Sequence, residues 1–494
     1  MALPADLMPE VEKFLQEPRK MLLDGEWVES VTGKMFEAID PGTGEMLTEV
    51  PEASKEDVDR AVAAARKAVD DRRWASIPPA RRGQILWTIA DKLEAAKFEL
   101  AQLEVLDQGK PMFMALAEMD IAIGSFRYFA GWVDKYYGET NPGDGSMFVY
   151  TLREPVGVCA GIIPWNYPMI MAAWKTAPAL AFGNALILKP AEQTPLTALR
   201  LGEIAQEAGV PKGVFQVLTG AGETGAALVE HPGVDKVSFT GSTEVGREIM
   251  RNAAGTLKKV TLELGGKSPN IVLADADLGN AAGGSMYGVF LNSGQTCTAA
   301  TRLLVESSVH DEFVDSVVKA SQKMTLGHGL AGDTRMGPVV SQEQLDRVMG
   351  YIEAGKKEGA TVAAGGERAD GDLSNGYFIQ PTVFTDVRPD MKIYQEEIFG
   401  PVLSVIPVDN VDDAIRHGND TQYGLAAAVW TNDLKKAHRV AAGLRAGTVW
   451  INTYGLFDPG VSFGGYKQSG SGRELGPHAM EAYTQTKSVW VNLG

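Results

Sequence analysis

Across its middle the chain alternates short, mostly apolar runs with longer stretches whose apolar positions recur every three or four residues. Runs at 156–163, 185–188, 214–218, 236–239, 270–273 and 302–305 have the length and composition of buried strands. Between or beyond them, 169–182, 195–208, 225–230, 244–252, 279–291 and 311–324 carry a helical period. Continuous apolar strands separated by amphipathic helices predict parallel sheets covered on both faces. The same grammar continues to about residue 462, so the expected fold class is α/β, with two doubly wound parallel-sheet domains meeting near residues 263–267.

Upstream, residues 21–48 read as a short β region with the turn signal Asp40-Pro41-Gly42. A helix is predicted over 55–70, where Val58, Val62 and Val69 share a face, and a long one over 79–106. The mostly polar stretch 136–153 reads as a β excursion, and 482–493 alternates like an edge strand. The expected domains are 1–132 with 155–264, then 265–465, and a small discontinuous β element from 133–154 and 482–494.

Charge and cysteine content narrow the class. Against 46 Lys and Arg stand 63 Asp and Glu, a net charge of −17 over 494 residues. That balance argues against nucleic acid or an anionic membrane surface as partner. Residues 1–20 mix both charge signs without an apolar run, unlike a secretory signal or a transit peptide. The uncharged run 156–174 approaches the length of a membrane span, but Pro164, Asn166 and Pro168 interrupt it. A soluble, cytoplasmic protein is expected. Two cysteines exclude a disulfide framework and a Cys-rich zinc site, and the six histidines form no HxH or HxxxH pair, so no metal site is expected. The 55 glycines, well above the usual share of about 7%, follow no collagen-like period and so should mark turns and close backbone approaches.

Several residues could carry chemistry. Gly220, Gly222 and Gly225 spell G-x-G-x-x-G between a predicted strand and helix, the setting of a dinucleotide fingerprint, though a chance match is easy in so glycine-rich a chain. Phe239-Thr240-Gly241-Ser242 ends the next strand, and Ser242 suits either an anion at a helix N-terminus or an ordinary N-cap. Lys189 and Glu192 follow a buried strand, at the mouth where open α/β sheets bind ligands; a solvated turn is the alternative. Cys159 sits among apolar neighbours and reads as core. Cys297 lies in a polar, Gly-containing turn, where a thiol of ordinary pKa needs activation to attack. Glu263 ends an apolar run beside two glycines. Partial burial there would raise its pKa and suit it to general-base work, with a turn-stabilising carboxylate as the alternative.

Seven segments occur in a shared order: 164–168 (PWNYP), 189–192 (KPAE), 239–242 (FTGS), 262–267 (LELGGK), 294–297 (GQTC), 397–401 (EIFGP) and 464–467 (GGYK). Together they resemble the NAD(P)-dependent aldehyde dehydrogenase superfamily, over nearly the whole chain. The resemblance implies a Rossmann-like NAD-binding domain, a catalytic domain and a β oligomerisation element in a homo-oligomer, dimer or tetramer. It implies that Cys297 attacks an aldehyde, that Asn166 and the Cys297 amide form the oxyanion hole, and that Glu263 activates water to hydrolyse a thioester. Lys175 and Glu474 fall where relatives relay protons. By the same resemblance Ile163, Trp165, Lys189, Glu192, Gly222, Gly241, Ser242, Gly265, Glu397 and Phe399 hold the cofactor. Glu192 would repel a 2′-phosphate, so NAD is expected over NADP. Tyr167, Met171, Trp174, Leu291, Phe457 and Phe463 would line the aldehyde tunnel and suit a hydrophobic aromatic or medium-chain aliphatic substrate.

The alternatives are a betaine or aminoaldehyde dehydrogenase, a CoA-acylating aldehyde dehydrogenase and a catalytically silent binding or structural homologue. Leu291 and Phe463 stand where betaine-specific members tend to carry Trp, which leaves an aromatic cage incomplete. Glu263 favours hydrolysis over CoA acylation, and intact Cys297, Glu263 and Asn166 argue against a silent homologue. Two departures from the family pattern stand out. The Gly220–Gly225 loop is one residue shorter than usual, and Ala300 replaces a customary glycine, which bears on local loop geometry.

Overall fold

The computed structural model describes residues 6–494; the first five residues of the expected 1–132 segment lie outside the described residues. Two large sheets and two small ones organise the described residues, the smallest being the antiparallel pair Met35–Ile39 and Met46–Pro51. The parallel centre of the first takes Lys259–Glu263, Lys236–Thr240, Val158–Ile162, Ala185–Lys189 and Phe215–Val217 in spatial order. Met21–Leu23 and Glu26–Val28 extend one edge antiparallel. At the other edge the late segment Gly470–Ser471 pairs antiparallel with Leu262 and Glu263.

Both faces of that centre are dry. Val158, Ala160 and Ile187 pack toward the helix Lys55–Asp70, while Cys159, Leu186 and Leu188 pack toward Pro168–Ala181 and Leu196–Glu207. This is why Val158–Ile162 and 185–188 read as unbroken apolar runs. Lys55–Asp70 starts where the pattern places it because Ser54 and Asp57 close a capping box over its first turn.

The second sheet runs Thr361–Ala364, Thr382–Thr385, Val402–Val408, Arg302–Glu306, Pro269–Val272, Ala426–Trp430 and Thr448–Ile451, parallel except for its first pair. The three-stranded sheet holds Thr484–Asn492, Met147–Pro155 and Thr140–Asn141, all antiparallel. Thr484–Asn492 lies at its edge, paired with Met147–Pro155 from Thr484↔Pro155 to Asn492↔Met147. The architecture is α/β with parallel-rich sheets. Among the described residues no helix is long and apolar enough to cross a membrane.

Three elements differ from the pattern. The helix predicted over 79–106 is two, Pro79–Ala95 and Lys97–Gln108. At Ala96 (φ −93°, ψ 13°) the chain turns, which lets the second helix pack on Leu196–Glu207. No glycine or proline marks that bend. Next, Met112–Ala130 is a 19-residue helix where the pattern gives none. It is held between Pro79–Ala95 and Pro168–Ala181 and is apolar on more than one side, so it shows little amphipathic period. Finally, the helix expected over 225–230 begins at Gly222, so the second and third glycines of the fingerprint lie inside a helix.

Candidate active site

Parallel order brings the C-terminal ends of the first sheet's strands to one edge, with Lys189, Thr240 and Glu263 as the last residues of three of them. Ile163 follows its strand and donates its N–H to the Lys189 carbonyl at 3.0 Å. The Lys189 ammonium is buried, and burial lowers its pKa; its contact with Glu192 is long, at 3.4 Å. Ser242 caps the helix Thr243–Ala253, its Oγ accepting from the Val245 N–H at 3.3 Å, and Gly241 precedes it. Gly222 opens its own helix with no atom within 4 Å of where a side chain would begin.

Opposite these, Glu397 accepts the Gly266 N–H at 2.8 Å, and burial pushes its carboxyl up to about 7. Gly265 leaves room for this carboxylate, since a Cβ there would stand 2.1 Å from a Glu397 oxygen and push the side chain aside. The rings of Phe399 and Trp165 meet edge to face at 5.2 Å.

Cys297 follows an unusual turn. Asn292 (φ 52°), Ser293 (φ 55°) and Gly294 (φ 73°) are consecutively left-handed. For the two non-glycine residues that conformation costs on the order of 1–2 kcal/mol each. Tertiary contacts hold it in place. Ser293 Oγ donates to the Gly337 carbonyl (2.7 Å), Asn292 Nδ2 to the Asn166 carbonyl (2.8 Å), and Gln295 Oε1 accepts the Val340 N–H (2.8 Å). At Gly294 a Cβ would fall 2.0 Å from the Gly400 carbonyl oxygen. Asn166 Nδ2 spends one of its protons on the Gln295 carbonyl at 2.8 Å. The other remains free to donate. Ala300 has an ordinary backbone, donates its N–H to the Gly288 carbonyl and packs its methyl on Gly288.

Beside Cys297 opens a cavity of about 230 Å³. Tyr167, Met171, Trp174, Leu291, Phe457 and Phe463 all line it. The rings of Trp174, Phe457 and Phe463 form a mutual edge-to-face cluster at 5.5–6.0 Å. Tyr167 Oη lies 2.7 Å from Thr296 Oγ1, next to the cysteine. Three carboxylates also reach this wall: Glu118, Glu263 and Glu474.

Neither oxygen of Glu263 finds a well-formed hydrogen bond in the protein, although both are buried. Burial, then the nearby Glu474, push its carboxyl well above the usual range; Lys175, Arg473 and the Gly465 backbone pull the other way more weakly. Glu474 is ion-paired with the fully buried Lys175 at 2.5 Å, and Lys175 also donates to Thr240 Oγ1 at 2.8 Å. Burial is also the main reason the Cys297 thiol is pushed up to about 12, with Glu397 and Glu263 adding to it. At neutral pH the sulfur is therefore a protonated thiol beside a carboxyl group of raised pKa. Cys159, also up at about 12, is sealed in the core.

Sequence reading missed the cavity residues Phe113, Met114, Glu118 and Ile121, which lie on the unpredicted helix, and Tyr287 and Tyr454. Tyr287 lies on the helix Leu278–Phe290, where its aromatic ring could as well have been packing into the core.

Residues 27–489 match the family model described as "Aldehyde dehydrogenase family". An aldehyde dehydrogenase of Aspergillus niger is 50% identical over 481 residues, covering 97% of this chain and 96% of the relative. The mitochondrial aldehyde dehydrogenase of Homo sapiens is 47% identical over 479 residues, covering 96% and 92%. Among solved structures, the NAD+ complex of an aldehyde dehydrogenase from Bacillus cereus superposes with a TM-score of 0.98 at 50% identity, covering all of both chains. A betaine aldehyde dehydrogenase from Staphylococcus aureus in complex with NAD+ reaches 0.96 at 42% identity, over 99% and 98%.

Proposed function

The chain belongs to the aldehyde dehydrogenase family and is an NAD-dependent oxidoreductase, and from that premise we propose that it oxidises hydrophobic aldehydes to carboxylic acids through a thioester on Cys297. The observation that carries this reading is the meeting of Cys297 and Glu263 in one apolar cavity at the sheet edge, with the Asn166 side chain bonded to the Gln295 carbonyl two residues before Cys297.

The residues fit a dinucleotide. Lys189 has donors to spare, the helix behind Ser242 presents its N-terminus, and the Glu397 carboxylate suits ribose hydroxyls. When bound, NAD supplies the hydride acceptor. Ile163, Trp165, Gly222, Gly241, Gly265 and Phe399 complete its bed in this proposal.

The sulfur of Cys297 attacks the aldehyde carbon as its proton is lost to water, so that Glu263 is not needed until hydrolysis. The carbonyl oxygen takes the electron pair and is held by the free Asn166 amide proton and the Cys297 N–H. One such donor is worth about 10²–10³ in rate. As the oxygen's electron pair re-forms the C=O bond, the C–H bond breaks and its hydride would leave to the bound dinucleotide, so Cys297 carries the acyl group as a thioester. Glu263 takes a proton from water as its oxygen attacks the thioester carbon, and the C–S bond breaks to return sulfur. Lys175 and Glu474 carry protons away from Glu263 through their buried pair.

The aromatic cluster and apolar walls support aromatic or medium-chain aliphatic aldehydes. Of the cavity's three carboxylates, Glu118 is paired with Lys110, Glu474 with Lys175, and Glu263 is assigned to catalysis, so none is left to attract a cationic substrate. The test is reduced-nicotinamide absorbance with NAD, an aldehyde panel and no CoA. Phenylacetaldehyde-like and medium-chain substrates should show the highest kcat/KM. A cationic aminoaldehyde or betaine aldehyde turned over best overturns the substrate assignment, an absolute need for CoA overturns the hydrolytic one, and silence with every cofactor points to a non-catalytic homologue.

Glu192, three residues from Lys189 and half-exposed, puts a second negative charge where an added 2′-phosphate would lie. NAD is expected to exceed NADP in kcat/KM, and Glu192→Gln to narrow that ratio. A wild-type preference for NADP overturns the assignment.

The edge strand Thr484–Asn492 exposes Trp490 (69%), and Phe148 and Leu152 are also open on the paired strand. Left bare, such an edge invites uncontrolled pairing. We assign it to subunit contacts of a homo-oligomer.

A further inference from the structure

Lys110 is a fully buried cation with no part in the reaction above. It lies in the short turn between the helices Lys97–Gln108 and Met112–Ala130. Its ammonium makes three hydrogen bonds, to Glu118 (2.5 Å), to Glu104 (3.2 Å) and to the Asn166 backbone carbonyl (3.1 Å). Those contacts use all its protons. The ammonium also sits 4.8 Å from the centre of the Tyr167 ring.

The same Asn166 carbonyl accepts Asn292 Nδ2 at 2.8 Å from the turn that leads to Cys297. It is thus held from two sides, by the cavity wall and by the cysteine's own loop. The turn carrying Lys110 is itself pinned to that loop's support. Met112 donates its N–H to the Gly329 carbonyl at 2.9 Å, and the Gly109 carbonyl lies so close to Gly337 that a Cβ there would stand 2.0 Å from it. Ser293 anchors on the carbonyl of that same Gly337.

As a stabilising device this cluster is poor. Glu104 Oε2 and Glu118 Oε1 are buried with no donor but each other's carboxyl, which needs one of the two to stay protonated. Burial, with Glu104 adding and Lys110 opposing, pushes the Glu118 carboxyl well up. Apolar side chains of equal volume would hold such a core as well or better. What they could not supply is a donor aimed at the Asn166 carbonyl.

We infer that Lys110, held by Glu104 and Glu118, is a positioning residue that fixes the Asn166 peptide so that its side-chain amide faces the oxygen of the reacting carbonyl. The inference rests on the proposed role of Asn166 as oxyanion donor. A misplacement of about 1 Å in such a site can cost 10²-fold in rate.

The test uses the full-length enzyme. Lys110→Met is expected to lower kcat by about 10- to 100-fold while leaving KM for NAD unchanged. Pairing it with Glu104→Gln and Glu118→Gln leaves no buried carboxyl beside the lost cation and should restore Tm without restoring kcat, which a purely structural role would not produce. In an Asn166→Ala background, Lys110→Met should cost less than about twofold more, because its effect runs through Asn166.

Recovery of kcat along with Tm in the paired variant, or an undiminished loss in the Asn166→Ala background, overturns the inference. So does failure of both Lys110 variants to fold, which would make the residue part of the frame alone. If Asn166→Ala keeps full kcat, the oxyanion assignment itself fails. If Asn166→Ala is impaired and Lys110→Met is not, only the positioning role falls.

Discussion

Cys297→Ala is expected to lower reduced-nicotinamide formation by about 10⁴-fold or more, the scale on which removing a covalent nucleophile acts. No second thiol can stand in. The chain has two cysteines, and Cys159 is wholly buried inside the first sheet's helical cover. Binding should survive, because the proposed cofactor bed of Lys189, Ser242 and Glu397 is built without Cys297. Cofactor titration by fluorescence should therefore give a Kd near that of wild type. Cys297→Ser keeps the shape and is expected to stay nearly inactive, since a hydroxyl is much the weaker nucleophile. Substantial turnover by either variant would remove Cys297 from the mechanism.

The second large effect is expected at Glu263→Gln. The amide keeps the size of the side chain and cannot take a proton from water. The variant should complete a first turnover and then stall, with the acyl group on Cys297 visible as added mass in intact-protein mass spectrometry. Steady-state turnover should fall by about 10²–10⁴-fold, the usual worth of a general base.

The pH profile carries the same signature. A raised pKa keeps Glu263 protonated to higher pH than an ordinary carboxyl, and only the charged form can act as base. Thioester hydrolysis by wild type should thus rise as pH climbs through that raised range and fall as pH drops through it. The residual rate of Glu263→Gln should lack that step. A profile identical to wild type, or unchanged steady-state turnover, would take the base role from Glu263.

Much of this was legible residue by residue. The parallel strands could be read because helices bury both of their faces, which leaves a mostly apolar run that needs no partner to interpret. Cys159 and Cys297 separated on the character of their neighbours alone. Glu263 could be read as a carboxyl with a raised pKa because the apolar and glycine residues around it are contiguous in the chain. The helix start at Gly220–Gly225 was not legible, for the opposite reason. A local pattern cannot tell that the helix starts at Gly222. The helix Met112–Ala130 escaped because burial on several sides erases the period that periodicity analysis needs. With it went Glu118 and half of one cavity wall.

By itself the sequence determined the α/β class, the alternation of strands and helices, and the residue types able to do thiol and carboxylate chemistry, because these follow from composition and short-range periodicity. Only the tertiary structure decided how those residues meet. It alone brings Glu474 from the chain's last segment onto Lys175, and it adds the Glu474 charge to the burial that raises the Glu263 pKa. It also holds two left-handed residues before Cys297 and closes Lys110 onto the Asn166 carbonyl. Each depends on desolvation or on contacts between residues far apart in the chain, and neither quantity is carried by any local stretch of sequence.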